Sequence, residues 1–281
     1  MLIKPTTFTI TPMQDKQNPY IDTHYIVNKK KALQCHAQLE HVYQNTITYT
    51  IDHPRHILPD IVFTANTGLA LPRLPEITVL LPSMKYIQRQ EELPYLLKIY
   101  HDLGIKTIPF PKHADAPFEG QAELKWFDGG KKAIGGYGHR STKKSFDILK
   151  KVLQEIYTKH GLLPPTILAV PLISMNYYHL DVAMLEYDDT KCMVHKRAFS
   201  SESIKKIKHF LGEDNVYVVD TLDSFCLNAV VDGNHLITHL LYPSLKKEIE
   251  DITGKTIKMI DTSEFEKSGG SIRCMTLDVY K

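Results

Sequence analysis

The sequence predicts an α/β fold made of repeats that each bring one polar tip to a common centre. Runs rich in β-branched and apolar residues alternate with amphipathic runs of helical period. No Pro-, Ser- or Gly-rich linker interrupts them, so one domain over residues 1–281 is the economical reading. Five polar islands supply the repeats: "LPDIVFTAN", "PFEGQAEL", "YYHLDVAM", "SFCLNAV" and "SGGSIRCM". They carry Asn66, Glu119, His179, Asn228 and Cys274, which follow one another at intervals of 53, 60, 49 and 46 residues. Recurrence of strand, polar tip and helix points to units arranged around a shared site. Polar groups that are costly to bury belong where a ligand satisfies them.

The elements follow in order. "VNKKKALQ" (Val27 to Gln34) is the densest basic run and reads as a solvated helix start. "NTITYTI" (Asn45 to Ile51) and "ITVLLP" (Ile77 to Pro82) read as strands. "RQEELPYLLKIYHDLG" (Arg89 to Gly104) has an apolar face and a glycine stop, so it predicts a helix. "DGGKKAIGGYGHR" (Asp128 to Arg140) lacks the GK[ST] of a phosphate-binding loop; its glycines predict a hairpin turn and a close backbone approach. "STKKSFDILKKVLQEIY" (Ser141 to Tyr157) opens on a Ser/Thr cap and continues as a helix, and "SESIKKIKHFLG" (Ser201 to Gly212) repeats the pattern. "TILAVPLI" (Thr166 to Ile173), "NVYVVD" (Asn215 to Asp220) and "HLITHLLY" (His235 to Tyr242) complete the strands.

Composition narrows the function. With 43% apolar and 23% charged residues the chain is globular rather than disordered. A net charge of +2, with both signs interleaved, gives no basic stripe for a nucleic acid. The opening "MLIKPTTFTI" lacks the apolar core of a signal peptide, and no stretch approaches the ~20 apolar residues of a membrane span. The expectation is a soluble cytoplasmic protein with no membrane partner. Cys35, Cys192, Cys226 and Cys274 form no CxxC pair, so they predict reduced thiols rather than a zinc knuckle. His53 and His56 flank Pro54-Arg55 in a predicted turn, and no HExxH or His-x-His cluster accompanies them. Neither a metal nor a cofactor is expected.

Taken singly, each island has a plain reading. Glu119 could be a capping acid, His179 a hydrogen-bonded core histidine, Asp181 a turn former, and Cys274 a small apolar residue of a last strand. Their coincidence at repeat spacing argues for a site. A thiolate is a strong nucleophile, and a histidine can pass a proton to a leaving amine and then activate water. Neighbouring carboxylates disfavour a thiolate, so they make sense if the substrate is a cation. A guanidinium offers N–H donors in a plane, which suits Asp60, Glu119 and Asp181 as acceptors.

These residues carry a resemblance. "FTAN", "FEG", "YGHRS", "YHLD" and "GGSIRCMTL", together with "NPYID" (Asn18 to Asp22), resemble in order the motifs of the guanidine-modifying enzymes: arginine deiminases, dimethylarginine dimethylaminohydrolases and amidinotransferases. The resemblance covers essentially the whole chain. It implies a five-bladed, pseudo-fivefold α/β propeller, the pentein fold, with the active site in a central channel. It further implies that Cys274 is the nucleophile, His179 the general acid/base and Glu119 its catalytic partner. Asn18, Asp60, Asn66, Arg89, Arg140 and Asp181 are implied as substrate-binding residues, with the two arginines on the substrate carboxylate.

Within the superfamily, Glu119 argues against the amidinotransferases, which carry Asp there, and Asp181 against the dimethylargininases, which usually lack that acid. Asn66 stands where arginine deiminases carry Asp. "PDIVFTANTGLA", "RQEE" and "FCLNAV" most resemble the arginine dihydrolases, which convert arginine to ornithine, carbon dioxide and two ammonia molecules. "FEGQAE" departs from the more usual FEG-x-G-D. An arginine deiminase giving citrulline is the alternative, as is another hydrolase or amidinotransferase of an arginine derivative. The different class is a binding module, because the same propeller serves a non-catalytic ribosome-binding initiation factor.

Overall fold

Among the described residues the chain lays down five small sheets in succession, most of them to one plan. The computed structural model describes residues 1–43, 46–51 and 57–280. The first sheet pairs β1 (Leu2–Ile3), helix α1 (Lys29–Val42) and β2 (Thr48–Tyr49), with the strands parallel. The second runs β3 (Leu69–Ala70), β4 (Thr78–Leu81), α2 (Ile87–Gln90), α3 (Leu93–Asp102), β5 (Lys106–Pro109). The third runs β6 (Leu124–Phe127), β7 (Lys132–Tyr137), α4 (Lys143–Lys159), β8 (Thr166–Pro171). The fourth opens with the short α5 (Leu180–Ala183), then β9 (Met184–Glu186), β10 (Cys192–His195), α6 (Ser201–Leu211), β11 (Val216–Val219). The fifth runs β12 (Val230–Asp232), β13 (His235–Thr238), α7 (Pro243–Thr253), β14 (Thr256–Met259), and α8 (Ser263–Glu266) follows it. In each three-stranded sheet the first two strands form an antiparallel hairpin and the third returns parallel to the second across a helix. A parallel return needs such a crossover, because a hairpin turn cannot make it. Leu277 exchanges backbone hydrogen bonds of 3.0 and 2.6 Å with Met1, so the last described segment lies beside the first.

Local chemistry explains most of these elements. Thr142 caps α4 by accepting from the Ser145 N–H at 3.2 Å, and the helix buries Phe146, Leu149, Leu153 and Tyr157 at helical spacing. Ser200 caps α6 in the same way, and Gly212 ends it at φ +105°. The glycine-rich stretch makes the expected β6–β7 hairpin and the expected close approach, since a Cβ on Gly135 would lie 2.0 Å from the Phe146 ring.

Three elements differ from expectation. The helix predicted over 89–104 divides into α2 and α3, because Pro94, in the first turn of α3, has no N–H to donate to the Gln90 carbonyl and its ring crowds that carbonyl. The strand predicted over 235–242 stops at Thr238, where the chain turns toward Pro243 at the start of α7. No strand holds Cys274. Asn45 of the predicted first strand, and the turn with His53 and His56, lie outside the described residues.

Neighbouring units share apolar cores. Leu69 and Leu80 of the second sheet pack with Phe118, Leu124 and Phe146 of the third. Four of the five island residues lie on the approach to the first strand of a unit. Asn66 sits in the turn before β3, Glu119 before β6, His179 before α5 and β9, and Asn228 before β12. Among the described residues no helix is long and apolar enough to cross a membrane.

One buried ion cluster braces the segment that carries Cys274. His239 is 8% exposed; its Nε2 lies 3.1 Å from Asp223 and its Nδ1 3.3 Å from Glu266. Glu266 also accepts from the Thr262 hydroxyl, which contacts Ser271 at 2.8 Å. Burial lowers the His239 pKa, but the two carboxylates outweigh it and raise it to about 9. A folded-state pKa above the unfolded value stabilises below about pH 6.5 and loses that contribution as pH rises to about 9. The contribution is on the order of 3 kcal/mol. Urea midpoints of the parent and His239→Gln should therefore differ clearly at pH 6 and converge by pH 9.5. An equal gap at both pH values would show that the imidazole is not held charged.

Candidate active site

The backbone around Cys274 is set by two glycines. A Cβ on Gly270 would lie 2.2 Å from the Phe63 ring, and one on Gly269 (φ +90°) would lie 2.6 Å from Asn18 Nδ2. Only glycine lets this segment sink against Phe63 and Asn18. The chain then coils, with the Met275 N–H donating to Ser271 O at 3.2 Å. The Cys274 carbonyl accepts from the Ala65 N–H at 3.0 Å, one residue from Asn66. Cys274 is thus neither a strand residue nor an exposed thiol. It is 3% exposed and faces an internal cavity.

Seven residues expected at a site line that cavity: Asn18, Asp60, Asn66, Arg89, Arg140, His179 and Cys274. Glu119 and Asp181 stand behind the lining. The free volume is about 20 Å³, on the order of one water. The segment 14–21 packs along one side of it. Gln14 donates to Asp60 at 2.8 Å, Gln17 accepts from Gln88 at 2.7 Å, and the Gln17 carbonyl accepts from Arg140 at 3.3 Å.

Glu119 is the hub of the polar network. One carboxylate oxygen lies 2.9 Å from both His179 Nε2 and Arg140 Nη1, and 3.4 Å from Asn66 Nδ2. The other accepts the Lys85 N–H at 3.2 Å. Burial alone would raise the Glu119 pKa, but Arg140 and His179 hold it well below the usual carboxylate range. An ionised carboxylate only accepts, so the His179 proton sits on Nε2 and Nδ1 is left as an acceptor. Burial lowers the His179 pKa below its ordinary value, which favours the neutral imidazole.

The other acids are less well served. Burial raises Asp60 and Asp181, takes Glu92 up to about 7, and with Glu119 takes Glu123 well above the carboxylate range. Glu123 Oε2 receives no hydrogen bond, and the Asp181 carboxylate has the Cys274 thiol as its side-chain partner. Burial and then the Asp181 charge push the Cys274 thiol well above an ordinary cysteine. Five buried carboxyls therefore share this region with the guanidiniums of Arg89 and Arg140. Both guanidiniums are engaged by the protein's own acids. Arg89 Nε lies 2.7 Å from Glu92, and Arg140 pairs with Glu119 between the rings of Tyr86 and Tyr178, 4.8 and 4.9 Å away. A region with more carboxyls than guanidiniums, and with a buried thiol, is suited to a cation, which would favour ionisation of the acids and lower the thiol pKa together.

The departure "FEGQAE" does not open its turn. Gln121 donates to Asp278 at 2.6 Å and accepts from the Asp278 N–H at 3.2 Å. Sequence reasoning passed over Gln17, Tyr86, Glu92, Tyr178 and Ser268. Glu92, Tyr178 and Ser268 lie inside RQEE, YYHLDVAM and SGGSIRCM, but only the fold shows that Glu92 pairs with Arg89 and that Tyr86 and Tyr178 stack on Arg140.

Comparison with known proteins agrees with this picture. The chain is 26% identical over 273 residues to the bifunctional arginine dihydrolase/ornithine cyclodeaminase ArgZ of Synechocystis sp., across 92% of this chain and 36% of that protein. It thus spans about a third of that relative's length. It is 25% identical over 269 residues to the N(G),N(G)-dimethylarginine dimethylaminohydrolase of Mycobacterium tuberculosis, across 94% of this chain and 80% of that one. The solved N-terminal domain of ArgZ, an arginine dihydrolase with bound substrate, matches with a TM-score of 0.82 at 24% identity, covering 98% of this chain and 96% of that domain. At that identity the likeness is one of fold. A family profile matches residues 4–281, and it is that of the dimethylargininases, the group that Asp181 argued against. By that match the chain belongs to the family described as N,N dimethylarginine dimethylhydrolase, eukaryotic.

Proposed function

We propose that the chain is a hydrolase of the arginine guanidinium group, working through a covalent Cys274 adduct as an arginine dihydrolase. The observation that carries this reading is the surplus of buried carboxyls around Cys274, with the Asn66 amide set between Arg89 and Glu119. The arginine dihydrolase relatives support it. The five sheets support a five-bladed arrangement within a single domain, with the cavity at its centre.

In the first round arginine enters as segment 14–21 opens, and Asp60, Glu119 and Asp181 meet its charge. Asn18 lines the entrance, and Arg89 and Arg140 take the substrate carboxylate. The cation lowers the thiol pKa, and neutral His179 accepts the thiol proton. Sulfur bonds to the guanidinium carbon, a C–N bond breaks, and ammonia leaves with the proton from His179. His179 then takes a proton from water, whose oxygen adds to the carbon as the S–C bond breaks. This gives citrulline and restores Cys274.

In the second round Cys274 attacks the ureido carbon and ammonia leaves. Water then releases a carbamate, which falls apart to ornithine and carbon dioxide. Asn66 decides whether this round occurs. Its Oδ1 is taken by Arg89 at 3.3 Å, which turns Nδ2 inward as a donor. The neutral ureido oxygen needs such a donor, and a carboxylate would repel it.

A second reading, hydrolysis of dimethylarginine to citrulline and dimethylamine, is favoured by the family match. Purified protein incubated separately with arginine and dimethylarginine, with products identified by mass spectrometry, discriminates the two. The expected result is ornithine from arginine. Citrulline alone from arginine would assign a deiminase, and dimethylamine from dimethylarginine would assign the second reading.

Cys274→Ser should lose turnover while keeping its fold and its affinity for arginine, measured by single-turnover assay and calorimetry. Retained turnover would remove Cys274 from the mechanism. Asn66→Asp should still process arginine but stop at citrulline, because a lost and reversed polar contact costs about 1–3 kcal/mol or more in a closed site. Ornithine from that variant would overturn the role given to Asn66. With its pKa raised by burial and Asp181, Cys274 should react at pH 7.5 at least tenfold faster with an amidinium-bearing alkylating agent than with the neutral amide of the same shape. Equal rates would mean that the acids do not govern the thiol.

A further inference from the structure

Asn228 stands in one of the five recurring islands, yet the mechanism above gives it no task. Its side chain is fully buried, with Nδ2 3.1 Å from Cys274 Sγ and 3.0 Å from the Asp181 carbonyl oxygen. Its Oδ1 accepts the Cys274 N–H at 3.2 Å. Its own backbone is tied on both sides, the N–H to Phe225 O at 2.9 Å and the carbonyl to the Arg273 N–H at 3.3 Å. The partners fix the orientation of the amide. A backbone N–H at one end demands the oxygen, and a carbonyl oxygen at the other demands the NH2 group. The end that faces the sulfur is therefore a donor.

We infer that Asn228 is a catalytic residue of the proposed reaction: its carboxamide donates a hydrogen bond to the Cys274 sulfur, stabilises it as the thiolate and aims it into the cavity. The inference rests on Cys274 being the nucleophile. Around that sulfur, burial and the Asp181 carboxylate oppose ionisation, while Asn228 and the Ser271 backbone favour it. A substrate cation supplies charge in the first round. The ureido group of the second round is neutral and supplies none, so there the fixed donor matters most. The same side chain holds the Cys274 N–H, so the direction of the sulfur and its charge are set by one group.

Two variants separate this role from mere packing. Asn228→Asp keeps an oxygen for the Cys274 N–H but turns a carboxylate oxygen on the sulfur; Asn228→Ala removes the side chain. The rate at which iodoacetamide labels Cys274 at pH 8, read by mass spectrometry of the Cys274 peptide, reports the thiolate fraction. In folded Asn228→Asp, labelling should fall at least tenfold and kcat about 10²-fold, with little change in the KM for arginine. Asn228→Ala should show a smaller fall in labelling. A structural brace would do the opposite, because a loosened Cys274 is labelled faster. Unchanged or faster labelling in both variants, with native near-UV circular dichroism, would overturn the inference. Should Asn228→Asp not fold, Asn228→Ala decides it by the same sign. The Cys274→Ser turnover assay tests the nucleophile independently, so failure of that reading is distinguishable from failure of this one.

Discussion

Glu119 is one buried carboxylate on which segments from three units converge. It gathers Asn66 and the Lys85 backbone from the second, Arg140 from the third and His179 from the fourth. These groups come from different units, and beside Glu119 the second and third units also meet through the paired backbones of Ser83 and Phe118. What fixes their mutual distances is an ionised acceptor that needs several donors. Removing one partner of such a buried network typically costs about 3–5 kcal/mol, because the other charges are left unpaired. The same interaction sets chemistry as well as geometry. By occupying Nε2, Glu119 fixes the His179 tautomer and leaves Nδ1 as the free base.

The acids beyond Glu119 explain why the region suits a cation. Burial keeps Asp60, Glu92, Glu123 and Asp181 reluctant to ionise, and the two arginines are engaged internally. The cavity is thus close to charge balance without a ligand, while burial and Asp181 push its thiol pKa up. Asn66 fits this economy. An acid at that position would add a further carboxylate 3.4 Å from Glu119, whereas the amide donates to it.

The family assignment and the individual relatives name different guanidine chemistries, and the fold accommodates both. A shared framework with reaction-specific side chains is the usual relation of fold to function. Here Asn66 lines the cavity and Asp181 stands behind it, on a scaffold that matches the fold of the ArgZ domain over 98% of this chain.

The sequence by itself determined the succession of units and the chemical types at the centre. Capped helices such as α4 and α6 and strands such as β4, β8 and β11 have local signatures of period and capping that need no partner to be read. The even spacing of Asn66, Glu119, His179, Asn228 and Cys274 marked a shared centre for the same reason. Strands of two or three residues, β1, β3, β9 and β12, were invisible, because such short runs carry no period and form only when a neighbour supplies the ladder. Tertiary structure alone decided who partners whom. Arg89 and Arg140 read as open grips for a carboxylate, but folding brings Glu92 and Glu119 against them. Asn228 read as one polar tip among five, and it is the amide in contact with the sulfur. Charge pairing and hydrogen-bond direction depend on distances of about 3 Å between residues far apart in the chain, and no local pattern encodes them.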